Sequence, residues 1–235
     1  MATVLLVRHG RSSANTAGVL AGRTEGVQLD EVGREQVART AERLRALRAR
    51  LIVSSPLARC RETADALAAA ADPTVDVCED ERLIECGYGE WTGQELKRLA
   101  KDPLWKVVQA HPSGVTFPGG ESLREVQARS VEAVRDWDRR VSEEHGAESL
   151  WVAVSHGDVI KAVLADALGT HLDNFQRLVV DPASVSVVSY TPLRPFVLRL
   201  NDLGDLAGLA PRKRTRRRRS GNSDAAVGGG AGAAP

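Results

Sequence analysis

The hydrophobic positions of this chain alternate between short apolar runs and longer stretches with helical spacing. Runs of strand length occupy residues 3–7, 51–54, 74–77, 151–154, 184–190 and 196–200. Helical spacing is clear in residues 31–47, where Val37, Ala41 and Leu44 share one face, and in residues 122–145. This alternation predicts an α/β fold, specifically a three-layer α/β/α sandwich with a mostly parallel central sheet.

Three segments add detail to this prediction. Strict alternation of serine and valine in residues 184–187 favours an edge or half-exposed strand. After the second strand, Ser55 is predicted as a helix N-cap and Pro56 as the first helical residue. Residues 91–118 have no sustained periodicity, so we expect an irregular excursion over the crevice at the end of the sheet.

The composition predicts one folded domain followed by a tail. A chain of 235 residues with 43% hydrophobic content can bury one substantial core, which we place in residues 1–203. Residues 212–235 carry seven Lys or Arg against one acid, Asp224, although the whole chain has a formal charge of only +1. Because residues 204–235 are otherwise rich in Gly, Ala, Ser and Pro, we predict a disordered basic tail. Nucleic acid could bind only through this tail, and an incidental terminus is the favoured interpretation.

The cysteines and the apolar runs bear on the cellular setting. Cys60, Cys78 and Cys86 are odd in number and have no paired spacing, so neither a disulfide framework nor a zinc site is indicated. No apolar run approaches the roughly 20 residues needed to cross a bilayer. The first strand begins within three residues of Met1, which leaves no room for a signal peptide. We therefore expect a cytoplasmic protein with no membrane association.

Candidate chemistry lies at the ends of two predicted strands. Arg8 and His9 follow the first strand and His156 follows the strand at 151–154, and each histidine precedes a glycine. Ligands of open parallel sheets bind beyond the carboxyl ends of the strands, so both histidines can face one pocket. The guanidinium of Arg8 offers a fork of donors that suits phosphate or carboxylate. These residues predict an anionic substrate, although either histidine alone is typical of a simple turn.

Two further segments could complete such a pocket. Arg59 lies in the first turn of the helix predicted after Ser55, where free backbone N–H groups and a guanidinium both favour an anion. Residues 83–93 form a glycine-dense loop with two acids, Glu85 and Glu90. A carboxylic acid beside a pocket can protonate a leaving group if its surroundings hold the proton. Taken singly, Arg59 and the two glutamates are equally well explained as solvated surface residues.

As a set, these motifs resemble the histidine phosphatase family, also called the phosphoglycerate mutase-like superfamily. The resemblance spans residues 4–200. Its matched elements are Arg8-His9-Gly10 with Asn15, residues 29–33 leading to Gln36, residues 54–57 with Arg59 and Thr63-Ala64, residues 83–93, residues 118–122, and Ser155-His156-Gly157. The order and spacing of these elements are specific as a set.

The resemblance implies a role for each matched residue. His9 would attack phosphorus and form a phosphohistidine. Glu85 would protonate the departing alkoxide and then activate the water that hydrolyses the intermediate. The transferring phosphoryl group would be bound by Arg8, Asn15, Arg59 and His156. The implied activity is hydrolysis of a small phosphomonoester by an acid or broad-specificity phosphatase, as a monomer or homodimer. No cofactor and no metal are required, because arginines and histidine supply the positive charge.

Other functions fit the sequence less well than this one. A cysteine-based phosphatase needs an arginine six residues after its nucleophile, which no cysteine here has, and no Gly-Lys-Ser/Thr phosphate loop occurs. A phosphoglycerate mutase is the main alternative, yet such mutases usually carry arginine directly after the acidic residue, where this chain has Cys86. A catalytically idle binding module is less favoured, because the catalytic set is complete. Trp105 and His111 of the excursion would either contact substrate or pack.

Overall fold

A six-stranded sheet forms the centre of the fold in the computed structural model, which describes residues 1–204. Its strands are β1 (Thr3–Arg8), β2 (Ile52–Ser54), β3 (Val77–Glu79), β4 (Leu150–Ser155), β5 (Val185–Ser189) and β6 (Phe196–Asp202). Their spatial order is β3-β2-β4-β1-β5-β6. The pairs among β3, β2, β4 and β1 are parallel, whereas β5 and β6 pair antiparallel. The prediction of a mostly parallel sheet is confirmed.

Helices cover both faces of this sheet. Within the described residues they are α1 (Ser13–Ala17), α2 (Glu31–Arg45), α3 (Ala58–Ala70), α4 (Leu96–Leu99), α5 (Pro103–Ala110), α6 (Leu123–His145) and α7 (Gly157–Ala167). Successive residues of a strand point to opposite faces. Leu5 and Val7 of β1 therefore pack with α2 and α3, whereas Val4 and Leu6 pack with α6 and α7. The predicted three-layer α/β/α sandwich is confirmed.

Local side chains fix where two of these helices begin. Asp30 caps α2 and accepts a hydrogen bond from the Gly33 amide at 2.7 Å. Ser122 and Glu125 form a reciprocal capping box at the start of α6. These caps satisfy backbone donors that have no partner inside the helix, which explains why the periodic segments start where they do.

The structure corrects three details of the sequence interpretation. The third strand is Val77–Glu79 rather than residues 74–77, because its parallel pairing with β2 starts at Val77. The helix after β2 begins at Ala58 with Leu57 at its N-cap, because the Ser55 hydroxyl turns inward to His156 Nε2 at 2.8 Å and accepts only a long bond, of 3.5 Å, from the Leu57 amide. The strand β5 lies between β1 and β6 and is not an edge.

The excursion predicted to be irregular contains helices α4 and α5. Asp102 caps α5 and Pro103 is its first residue, a pairing typical of helix starts. Apolar side chains of the excursion pack into a cluster that also holds Phe117 and residues of α6 and α7. Trp105 lies in this cluster, stacked on Trp91 with ring centroids 6.1 Å apart, and is therefore a packing residue.

Two predictions remain, one on membrane association and one on the basic tail. No helix in residues 1–204 is long and apolar enough to cross a membrane. The predicted basic tail, apart from Gly204, and its contact with nucleic acid lie outside the described residues.

Candidate active site

The two strand-end histidines meet at one edge of the sheet. Strands β1 and β4 are neighbours, and Arg8 is in register with Ser155. The His9 amide donates to the Ser155 carbonyl at 3.0 Å. As a result, the rings of His9 and His156 lie edge to face with their centroids 5.3 Å apart. Adjacent parallel strands thus bring both side chains to one site at the carboxyl end of the sheet.

The contacts of His9 determine which of its nitrogens is the nucleophile. Nδ1 lies 2.7 Å from the carbonyl oxygen of Gly10, and since a carbonyl only accepts, Nδ1 carries the proton. The lone pair of the neutral ring is therefore on Nε2, which accepts from Arg59 Nε at 3.3 Å. Burial lowers the pKa of His9 well below its ordinary value of 6.5, and the charges of Arg59 and Arg8 lower it further. A buried, neutral imidazole whose unprotonated nitrogen is Nε2 suits nucleophilic attack.

Two buried arginines supply positive charge beside this ring. Arg59 donates from Nη2 to the Gly22 carbonyl at 2.8 Å, and its buried Nη1 makes no hydrogen bond within residues 1–204. Arg8 is fully buried and donates from Nη1 to the Val180 carbonyl at 2.8 Å. A buried guanidinium donor without an acceptor costs free energy unless an anion arrives to accept from it. The pair therefore predicts that an oxyanion binds next to His9 Nε2.

His156 is fixed by contacts at both ring nitrogens. Nη2 of Arg59 lies 3.2 Å from Nδ1, which must accept, so Nε2 carries the proton and donates to Ser55 Oγ at 2.8 Å. Burial and the charge of Arg59 lower the pKa of His156 well below 6.5. Its Nδ1 lies 4.0 Å from Oε2 of Glu85, so the ring faces both an arginine and the candidate acid.

Glu85 has the properties of a proton donor at neutral pH. Its carboxyl is buried, with 4% of the residue exposed, and Oε1 accepts from the Cys86 amide at 2.9 Å. Burial, assisted by the negative charge of Asp158, raises its pKa to about 7, although Arg59 and Arg8 oppose this shift. A carboxyl group with that pKa is half protonated near neutrality and can serve as both acid and base.

Comparison with known proteins identifies the family to which this chain belongs. The family described as the histidine phosphatase superfamily (branch 1) matches residues 4–203. The chain belongs to this superfamily. The histidine phosphatase family predicted from the sequence motifs is therefore confirmed, and with it the assignment as an enzyme of this family.

Several relatives of this histidine phosphatase have been named. Phosphoserine phosphatase 1 of Hydrogenobacter thermophilus is 32% identical over 204 residues, which cover 86% of this chain and 92% of that protein. Glucosyl-3-phosphoglycerate phosphatase of Mycolicibacterium vanbaalenii is 32% identical over 183 residues, covering 74% and 78% respectively. A solved structure of a mycobacterial glucosyl-3-phosphoglycerate phosphatase with VO3 has a TM-score of 0.76 and 27% identity, covering 85% of this chain and 98% of that one.

Asn15, a predicted site residue of this histidine phosphatase, makes its side-chain hydrogen bonds within its own helix cap and not to the other predicted site residues. It lies in α1, where its Oδ1 accepts from the Ser12 amide at 3.0 Å and from Ser12 Oγ at 2.9 Å. This capping box explains its conformation without a ligand. Its Nδ2 group is left as a donor, so the predicted contact with phosphate stays a prediction.

Three residues that hold Glu85 in place were missed by the sequence interpretation. Arg23 Nε and Arg129 Nη2 both donate to the backbone carbonyl of Glu85, at 2.9 and 3.2 Å. Both guanidinium groups also form ion pairs with Glu121, whose Oε2 accepts from the Gly87 amide. Arg129 lies on the polar side of a periodic helix and Arg23 in a loop, so no local pattern distinguishes them from surface residues.

The family resemblance also predicts that no metal is required. Residues 1–204 contain no group of three or more His, Cys, Asp or Glu side chains placed to hold a metal ion. Independence from metal stays a prediction that a chelator experiment can test.

Proposed function

We propose that this protein hydrolyses phosphomonoesters of small metabolites through a phosphohistidine formed on Nε2 of His9. The observation that carries the proposal is the lone pair of His9 Nε2 beside the buried Nη1 of Arg59, which has no hydrogen-bond partner among residues 1–204. The names of the phosphatase relatives support the same reaction. A phosphoryl group bound by Arg59 and Arg8 would lie next to the nucleophile.

In the first step, Nε2 of His9 attacks phosphorus and the bond from phosphorus to the ester oxygen breaks. The guanidinium groups of Arg8 and Arg59 stabilise charge on the phosphoryl oxygens. A phosphomonoester that binds as the monoanion would give its proton to Nδ1 of His156, which then becomes a third donor to the phosphoryl oxygens. Glu85 gives its proton to the departing alkoxide and is left as a carboxylate.

In the second step, the Glu85 carboxylate removes a proton from water as the water oxygen attacks the phosphohistidine. The bond from nitrogen to phosphorus breaks, inorganic phosphate is released, and Glu85 is protonated again. Nδ1 of His9 keeps its proton throughout, because the Gly10 carbonyl accepts from it at 2.7 Å. Both steps need only groups that this chain supplies.

Hydrolysis is favoured over transfer of the phosphoryl group to a second carboxylated substrate. Cys86, at the position where mutases of this type usually have arginine, is fully buried in an apolar cluster. The cations of the excursion, Lys97, Arg98, Lys101 and Lys106, are all exposed. No additional buried cation from these positions is available to hold a substrate carboxylate against the phosphohistidine.

The nucleophile is tested by trapping the intermediate. After incubation with p-nitrophenyl phosphate and a rapid quench, the protein should carry a phosphoryl group that acid removes and base does not. His9→Ala should trap none and lose about 10³-fold or more in kcat. His145→Ala is the matched control, because His145 ends α6 just before β4 begins, at the opposite end of the sheet. Equal hydrolysis by His9→Ala and the parent protein would overturn the mechanism.

The substrate is tested by a screen of small phosphomonoesters. The panel includes phosphoserine and glucosyl-3-phosphoglycerate, the compounds in the names of the relatives, together with 3-phosphoglycerate and 2,3-bisphosphoglycerate. We expect release of inorganic phosphate from at least one of them. Rapid interconversion of phosphoglycerates without phosphate release would instead establish a mutase. The cytoplasmic setting and the oligomeric state stay predictions for separate measurements.

A further inference from the structure

Helix α7 buries two opposite charges that the proposed mechanism does not use. Asp158 is 1% exposed and Lys161 is 3% exposed, and almost every residue of the helix is buried with them. Lys161 Nζ lies 3.8 Å from Asp158 Oδ1, one turn along the helix. Removing two charges from water costs several kcal/mol per ion before their attraction is counted. An apolar pair would serve packing equally well, so this pair calls for a functional explanation.

Both charges have further polar partners in the interior. The Tyr88 hydroxyl donates to Asp158 Oδ2 at 2.7 Å. Lys161 Nζ donates to Gln176 Oε1 at 3.1 Å and lies 5.6 Å from the centre of the Phe175 ring. Such contacts hold the carboxylate of Asp158 in a fixed position.

The hydrogen bond from Tyr88 to Asp158 joins the two segments that carry the acid and the second histidine. Tyr88 is three residues after Glu85 in the acidic loop, and Asp158 is two residues after His156 at the start of α7. Oε2 of Glu85 and Nδ1 of His156 are 4.0 Å apart. The bond therefore sets the distance between the loop and the helix at the point where the proton must be transferred.

Asp158 also affects the charge balance around the Glu85 carboxyl. The charged or ionisable groups around that carboxyl come from every element packed against it. They are Arg8 at the end of β1, Arg59 and Cys60 of α3, Cys86 and Tyr88 of the acidic loop, and His156, Asp158 and Lys161 at the start of α7, while Arg129 of α6 reaches its backbone carbonyl. The two arginines near the carboxyl lower the pKa of Glu85, whereas Asp158 raises it. Among these groups Asp158 is the carboxylate that raises the pKa of Glu85, and it therefore opposes ionisation of the acid.

We propose that Asp158 is a positioning residue, which holds the acidic loop through Tyr88 and whose negative charge keeps the proton on Glu85 until the leaving group takes it. This inference rests on the proposed function of Glu85 as proton donor. It assigns a role to two residues, Asp158 and Tyr88, that touch neither the substrate nor the reacting atoms.

The first test compares leaving groups in Asp158→Asn. The variant keeps the shape of the side chain and removes its charge. An alkyl phosphomonoester, either phosphoserine or glycerol 3-phosphate according to which is turned over faster, needs the proton from Glu85, whereas p-nitrophenyl phosphate has a good leaving group and does not. We expect kcat/KM to fall about tenfold for the alkyl ester and about twofold or less for the aryl ester. An equal fall for both substrates would show a purely structural role and overturn the proposal.

The second readout is the pH dependence of kcat/KM for the alkyl ester. In the parent protein we expect activity to fall at high pH as Glu85 ionises. Loss of the Asp158 charge makes Glu85 ionise more readily, so this limb should move to lower pH by about half a pH unit or more. A limb that does not move contradicts the electrostatic part of the proposal.

A hydroxyl deletion tests the hydrogen bond by itself and remains informative if Asp158→Asn does not fold. Tyr88→Phe should lower the ratio of alkyl to aryl activity by about threefold or more. Tyr190→Phe is the matched control, because that buried hydroxyl makes no hydrogen bond within residues 1–204 and should leave the ratio unchanged. An unchanged ratio in Tyr88→Phe overturns the positioning role. Failure of the proposed function would be visible separately, as absence of the phosphohistidine in the parent protein.

Discussion

The contact between α2 and the segment after His9 allows a sharp prediction for Gly33→Ala. Gly33 lies in the first turn of α2, and a Cβ atom placed there would be 1.9 Å from the Arg11 carbonyl oxygen. The same carbonyl accepts from the Asp30 amide at 3.0 Å, and Arg11 Nε forms an ion pair with the Asp30 carboxylate. The backbone of Arg11, two residues after His9, therefore lies in close contact with the start of α2.

Two effects of this substitution have opposite signs. Alanine is the better helix former and would stabilise an unhindered helix by up to about 1 kcal/mol. An ordinary contact of a Cβ atom is at least about 3.0 Å, so the alanine overlaps the carbonyl by more than 1 Å and must displace backbone. Overpacking costs about 1–3 kcal/mol, and strain in the adjacent cap hydrogen bonds adds about 1 kcal/mol. We expect a net loss of about 2–3 kcal/mol in the free energy of unfolding.

The assay combines unfolding with kinetics. For a domain of this size the loss corresponds to a Tm lower by about 4–12 °C. A displacement of about 1 Å next to His9 should also lower kcat by about tenfold to a hundredfold. Gly26→Ala is the control, because Gly26 has a φ of +71° but open space around it, and should lose only about 1 kcal/mol and no activity. Gly33→Ala with unchanged or higher stability would refute the reasoning.

Four further predictions follow from the site. Glu85→Gln should accumulate phosphoenzyme from p-nitrophenyl phosphate, with turnover lower by about 10²-fold, in a quench experiment, since glutamine cannot activate the water. Arg129→Ala should lower kcat and should also lower the unfolding free energy by about 2 kcal/mol, whereas exposed Arg135→Ala should change neither, because Arg129 donates to carbonyls next to Glu85 and Arg135 pairs with Asp166. Burial raises the pKa of Cys60 to about 12, so iodoacetamide at pH 7.5 should label it only after unfolding, by mass spectrometry. The pH profile of kcat/KM should have its basic limb near pH 7, from Glu85, and its acidic limb below 6.5, from the lowered pKa of His9.

The sheet and its strand-end residues could be predicted because they depend on local patterns. Alternation of apolar runs and helical periods specifies an α/β sandwich, and parallel strands necessarily present their carboxyl ends at one edge. Arg8, His9 and His156 follow two such strands, so their juxtaposition needs only that β1 and β4 be neighbours. Their roles came from the family resemblance and stay predictions until the variants are measured.

Other features depend on contacts between distant segments, which no local pattern contains. Ser55 has the residue type of an N-cap, but its hydroxyl bonds to His156, 101 residues further along the chain. The strand β5 alternates like an edge strand, yet β6 folds back and covers it. The pairing of Tyr88 with Asp158 likewise joins residues 70 positions apart. In each case the competing long-range contact decides the outcome over the local preference.

The environment of the site reverses the usual order in which its acid and nucleophile titrate. With ordinary pKa values of 4.5 for Glu85 and 6.5 for His9, the carboxyl would ionise before the imidazole lost its proton. The form needed for attack, with neutral His9 and protonated Glu85, would then be at most about 1% of the protein, and less away from the midpoint between the two pKa values. Arg8 and Arg59 disfavour a cation on His9, while burial and Asp158 disfavour an anion on Glu85. Because the imidazole now loses its proton first, the reactive form is the main one between the two pKa values. The buried arginines therefore have two effects: they favour the neutral form of His9 that attacks, and they bind phosphate. The negative charge of Asp158 opposes their effect on Glu85, so that the acid keeps its proton.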